Sequence, residues 1–165
     1  MKFSWVIFLL VITGIHCKSK KSKKNKSRMY GSQDGTDGQF PYAVFHIQRA
    51  IRGYHTCSGG IIAPRWVLTA AHCVNRDLNP NQHIVAAGKA DLNNYIRTRV
   101  RGMPFDQDIN EAAFDVQERR AAAVFYHPLY NKGGSHDVGL LRLQRPFVFN
   151  DRVSAMPISR GMSEI

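Results

Sequence analysis

The sequence predicts an all-β fold, a six-stranded antiparallel barrel of Greek-key type. Two observations carry that expectation. Six short strand-like runs, near residues 43–48, 54–62, 66–69, 83–88, 116–126 and 138–143, are separated by turn-forming segments. The first run alternates, with Ala43, Phe45 and Ile47 set against Val44, His46 and Gln48, the period of a strand with two different faces. No internal repeat competes with this reading. The size agrees, since 165 residues with 44% hydrophobic and 21% charged side chains make one domain of ordinary globular composition.

Ahead of the barrel, residues 1–17 read as a signal peptide. Lys2 supplies a short basic start, an apolar stretch of thirteen residues follows at 3–15, and Gly14 to Cys17 offers small residues for cleavage. That stretch is too short to span a bilayer, so no membrane span is expected and the protein is expected to be secreted. Lys18, Lys20, Lys21, Lys23, Lys24, Lys26 and Arg28 then place seven positive charges in eleven residues without one apolar neighbour. Residues 18–28 are therefore expected to form a disordered basic propeptide or tail that can hold heparin-like polyanions. Lysine clusters also resemble nuclear signals, but an extracellular destination speaks against that reading, and no nucleic-acid partner is expected. Asn25-Lys26-Ser27 matches the N-glycosylation acceptor pattern at Asn25. Of the 23 Lys and Arg residues, eight lie at or before residue 28, leaving 15 against 12 acidic residues, a net +3. The strong basicity thus belongs to the tail.

The strands follow in order. Gly38 to Tyr42 leads into the first. The second contains Gly59 and Gly60, which mark a bulge or a close backbone approach. Pro64-Arg65 turns the chain into the third strand, and residues 70–74 make a short helical turn bearing His72. Residues 75–82 form a surface loop before the fourth strand. Between Asp91 and Asp115 the sequence loses periodicity and becomes polar, so a long loop is expected. Asp106, Asp108 and Asn110 suggest a calcium loop, but Glu111 stands where its turn glycine belongs and Gln117 where its bidentate glutamate belongs. No metal and no cofactor are expected. The fifth strand ends at His127-Pro128, and the sixth runs from Val138 until Arg145-Pro146 stops it.

The chemistry is concentrated in Thr69-Ala70-Ala71-His72-Cys73. A histidine at the end of a rigid strand, fixed by a neighbouring cross-link, is what a general base requires, because proton transfer depends on orientation before it depends on pKa. Cys17, at the expected cleavage point, is expected to be lost or left at the edge, leaving Cys57 and Cys73 as an even pair in an oxidising compartment. A bridge closing their fifteen intervening residues stabilises by roughly 3 kcal/mol in the chain-entropy account. Ser58 and Ser135 lack the setting of a nucleophile, and His136 is expected on a strand, facing away from its neighbour Asp137.

Together with Cys57-Ser58-Gly59-Gly60-Ile61-Ile62 and His136-Asp137-Val138-Gly139-Leu140-Leu141-Arg142-Leu143, this motif resembles the trypsin/chymotrypsin family of serine proteases over roughly residues 28–165. The resemblance implies that His72 is the general base, that Asp137 orients it, and that Cys57 and Cys73 form the bridge clamping the histidine loop. It implies the first barrel of a chymotrypsin-like protease, with the second barrel missing, and a polypeptide substrate or protein partner. Calcium-binding members use a glutamate near the position held by Lys89. Arg28-Met29 occupies the activation cleavage position, although Met29 and Tyr30 depart from the family's Ile-Val-Gly-Gly. Residues 29–165 are expected to be a truncated, trypsin-like endopeptidase domain, inactive by itself because no Gly-Asp-Ser-Gly-Gly supplies the serine. The alternatives are a non-catalytic homologue acting as a binding module and a polyanion binder acting through its tail.

Overall fold

Strands β1 (Ala43–Ala50) and β2 (Gly53–Ala63) form a tight hairpin, Ala50 pairing with Gly53, whose φ of +95° suits a residue without a Cβ. The computed structural model describes residues 34–159 apart from 51, 102 and 133. The signal-peptide segment, the basic tail, Asn25, Arg28 and Met29 lie outside the described residues.

Pro64 and Arg65 turn β2 into β3 (Trp66–Thr69), and β4 (His83–Ala87), β5 (Gln117–Tyr126) and β6 (Gly139–Leu143) complete the sheet. All pairings are antiparallel, and the order β1-β2-β3-β6-β5-β4 closes on itself through β4 and β1. This is the predicted six-stranded barrel, and closure leaves no unpaired sheet edge. Inside it, Val44, Ile61, Val67, Val85, Ala87, Ala121, Leu141 and Leu143 pack as one buried cluster. A Cβ on Gly59 would stand 2.6 Å from the carbonyl oxygen of Leu68. The expected close backbone approach is therefore at Gly59, while the register shift between β2 and β3 lies further along, between Ile61 and Ala63.

One end of the barrel interior is polar. His46 and Gln48 share the inward face of β1 with Val44, and across the pairing His83 shares the inward face of β4 with Val85. His83 Nε2 lies 2.6 Å from the Asp77 carbonyl oxygen, which can only accept, so Nε2 carries the proton. Its Nδ1 then accepts from His46 Nε2–H at 2.9 Å, and His46 Nδ1 is left buried without a partner. Both rings are held neutral. Burial, followed by the neighbouring His83, pushes His46 down to about 3, and burial likewise lowers His83. In the orientation that satisfies both its amide atoms, Gln48 donates to the Cys73 carbonyl and accepts from Asp77 N–H, each at 3.2 Å. Together these contacts tie residues 73–77 to the barrel wall.

The stretch between Asp91 and Asp115 corrects the sequence expectation of a long loop. It carries two helices, α1 (Asn93–Arg101) and α2 (Glu111–Phe114), and contributes Tyr95, Phe105 and Ile109 to a second core against Ile47, Ile84 and Ala86. The outward faces of β1 and β4 are thereby covered, which is why every residue of β4 is buried. Arg99 of α1 is wholly buried, its Nε donating to Glu118 Oε2 at 2.6 Å and its Nη2 pairing with Glu118 Oε1. Arg99 also donates to the carbonyls of Pro104 and Gln107, at 3.0 and 2.9 Å, while Tyr95 OH donates to Glu118 Oε2 at 2.5 Å. Each charge is thus matched by hydrogen bonds, the condition under which ions survive away from water.

Candidate active site

Strand β3 ends at Thr69; Ala70 is still extended, at φ −88° and ψ 149°, and the next three residues wind into a single 3₁₀ turn. Ala71 and Cys73 are buried and anchor that turn, while the His72 side chain between them is 60% exposed. Cys73 is joined to Cys57 of β2 by the expected disulfide, with Cα atoms 6.2 Å apart. The ligand atoms of Cys57, His72 and Cys73 lie within 4.8 Å of one another. Because both sulfurs are spent in the disulfide, the cluster is a ring lying against a cross-link rather than a thiolate set for a metal.

Asp137 approaches from the segment leading into β6. Its Oδ1 accepts the backbone N–H of His72 at 2.9 Å, and its Oδ2 lies 2.7 Å from His72 Nδ1. The first bond fixes where the carboxylate sits, and the second fixes the ring. A carboxylate accepts only, so Nδ1 carries the hydrogen and Nε2 is the nitrogen left to take a proton. The ring bond to His72, and after it the backbone bond, hold the Asp137 carboxyl below the usual carboxylate range. The arrangement is therefore a fixed-tautomer imidazole with its basic nitrogen turned outward, competent to receive a proton from a hydroxyl placed beside it.

Gly139 makes this approach possible, and the sequence reading did not single it out. It pairs with Thr69, and a Cβ there would stand 2.9 Å from both the Ala70 carbonyl oxygen and Val74 Cγ2. In the sequence it stood only as one residue of the motif that contains Asp137, at the point where an apolar strand begins. Gln48 was likewise read only as half of an alternation, although it touches the loop that follows His72.

Ser58, Ser135 and His136 are not drawn into this arrangement. Ser58 sits in β2 and accepts, through its carbonyl, from the Thr69 hydroxyl at 3.0 Å. The Ser135 hydroxyl lies 2.7 Å from His136 Nδ1, and the His136 ring stacks on His127 at 4.7 Å. His136 was expected on a strand but occupies a turn, at φ +55°. Among the described residues no serine hydroxyl is hydrogen-bonded to His72. Of the calcium-like residues, Asp108 pairs with Arg120 and Arg145, and the Asn110 side chain caps α2.

Comparison with known proteins agrees with this geometry. The Trypsin family profile matches residues 29–164. A protein described as trypsin from Simulium vittatum is 31% identical, the match covering 99% of this chain and 57% of that protein. Human chymotrypsin-like elastase family member 3A is 29% identical over 80% of this chain and 44% of its own length. Human transmembrane protease serine 5 is 29% identical over 88% of this chain and 28% of its own length. The chain thus spans about half the length, or less, of these relatives. With the barrel, the disulfide and the His72–Asp137 pair in place, the chain belongs to the trypsin family of serine proteases.

Proposed function

We propose that His72 acts as the general base of serine-type peptide-bond hydrolysis, with Asp137 holding its tautomer and orientation, in a secreted endopeptidase. The observation that carries the reading is the two-point grip of Asp137, on the backbone N–H and on ring Nδ1 of the same histidine. General-base catalysis needs the ring oriented and Nε2 free, and the bond of Asp137 to Nδ1 meets both needs. His72 Nε2 takes the proton of an attacking serine hydroxyl and later returns it to the leaving amine. That serine, and the donors that stabilise the oxyanion, come from outside the residues described here. Cleavage after Arg28, glycosylation at Asn25 and polyanion binding by residues 18–28 are further parts of the proposal. Their support is the sequence alone.

The test is peptide-amide hydrolysis by the protease containing this chain, comparing wild type with Asp137→Asn and His72→Ala. An asparagine at this position presents the wrong tautomer, which in the well-studied triads of this family lowers turnover about 10⁴-fold. A loss of that order in both variants is expected, with folding checked by circular dichroism. Unchanged turnover in either variant would overturn the assignment. Hydrolysis by the 165-residue chain alone that disappears on replacing His72 would keep His72 as the base and overturn instead the placement of the serine outside the described residues.

A further inference from the structure

We infer that the cleft between the β1–β2 turn and the loop after Cys73 binds acidic side chains of the peptide substrate. This rests on the catalytic reading of His72, which makes a polypeptide the expected occupant. The cleft, of about 480 Å³, has room for more than one side chain and is walled by Arg49, Arg52, His55, Arg76 and Asp77, among others.

The cleft gathers arginines that have no carboxylate partner. Among the described residues, Arg99, Arg119, Arg120, Arg145 and Arg152 face carboxylates of Glu118, Glu111, Asp108 and Asp115. Arg49, Arg52 and Arg76 are exposed and face none within ion-pair distance; Arg65, Arg97, Arg101 and Arg142 also face none, but the first three line this cleft together. The one carboxylate in the wall, Asp77, has Oδ1 engaged by Asn79 N–H at 2.8 Å. Three guanidinium groups against one carboxylate leave the cleft net positive, while residues 29–165 as a whole carry only +3. Arg76 is also held in place, its Nη1 donating to His55 Nε2 at 2.9 Å. A fixed guanidinium fork with spare N–H donors suits a carboxylate.

Position selects the source of that carboxylate. His55 and Cys57 are two residues apart on β2 and so project from the same face, about 7 Å apart along the strand. Cys57 is bridged to Cys73, against which the His72 ring lies. The cleft therefore begins within the span of roughly three extended residues from the proposed base.

The experiment measures binding, not turnover. Fluorescence anisotropy of the full chain with a short capped peptide carrying adjacent glutamates is compared with its glutamine twin at low ionic strength. The glutamate peptide is expected to bind about tenfold tighter, the combined effect of two exposed charge pairs. The preference should collapse in the Arg49→Gln/Arg76→Gln double variant and persist when the lysines of residues 18–26 are replaced by glutamine. Arg52→Gln alone, which should weaken the preference, serves if the double variant fails to fold. Equal binding of the two peptides would overturn the inference, as would a preference indifferent to these arginines or dependent on the tail lysines. A sulfated oligosaccharide that needs Arg49 and Arg76 while the peptides show no preference would also overturn it and assign the cleft to a glycan. Because no hydrolysis is read, failure of the His72 test leaves this result standing, and the reverse holds.

Discussion

The neutral histidine pair inside the barrel makes the fold acid-sensitive by an amount that can be worked out. Above pH 6.5 the His46 imidazole is uncharged in both folded and unfolded chains, and the pair costs nothing through protonation. Below 6.5 the unfolded chain takes a proton that the folded barrel refuses, since burial and the adjacent His83 push His46 down to about 3. Folding stability therefore falls as pH drops through the window from 6.5 to about 3, each pH unit being worth about 1.36 kcal/mol per refused proton. At about pH 5, one and a half units into that window, His46 alone lowers stability by about 2 kcal/mol. His83, also lowered, acts in the same direction. The assay is urea unfolding of the full chain at about pH 7 and about pH 5, repeated on His46→Leu, in which the His46 share of about 2 kcal/mol should vanish. Stability that is flat or rising toward pH 5 in the wild type would refute the argument, as would an equally steep loss in the variant. The site is exposed to the same change, because His83 holds the Asp77 carbonyl only four residues beyond Cys73.

Two further predictions concern contacts that position the pair and the outer layer. Gly139→Ala forces its new methyl toward the Ala70 carbonyl and Val74, so β6 must shift and carry Asp137 with it. A stability loss of about 1–3 kcal/mol by denaturant titration is expected, with loss of the His72 Nδ1–H···Asp137 signal in low-field proton NMR. Arg99→Ala leaves Glu118 buried with a single Tyr95 donor from α1, and about 3–5 kcal/mol of stability should be lost. Pairing Arg99→Met with Glu118→Leu should recover much of that loss in thermal unfolding, since it removes both charges together.

Strand placement was legible because alternation and turn residues are local properties. The third strand falls at Trp66–Thr69, as read, and the other strands begin or end within about two residues of expectation. The helical layer was not legible. In α1 the buried side chains are Tyr95 and Arg99, an aromatic and a charge at i and i+4. A search for apolar periodicity passes over an arginine that becomes core only because Glu118, nineteen positions later, is folded against it. The inward histidines escaped for the same reason. Their faces were visible as alternation, but only the pairing of β1 with β4 shows that a polar face can be interior when its members bond to one another.

By itself, the sequence determined which residues are chemically capable, because residue type settles that question without geometry, and it led to the expectation that Cys57 pairs with Cys73. It also pointed to an antiparallel all-β chain, since short runs between turns fit that class, while closure is shown by the pairing of β4 with β1. Tertiary structure decided which nitrogen of His72 is free, since that depends on a carboxylate sixty-five positions away accepting from the other. It also decided which arginines are spent on carboxylates and which face the cleft beside the base. Long-range approach sets such pairings, and no local pattern encodes the distance between two segments that only the barrel brings together.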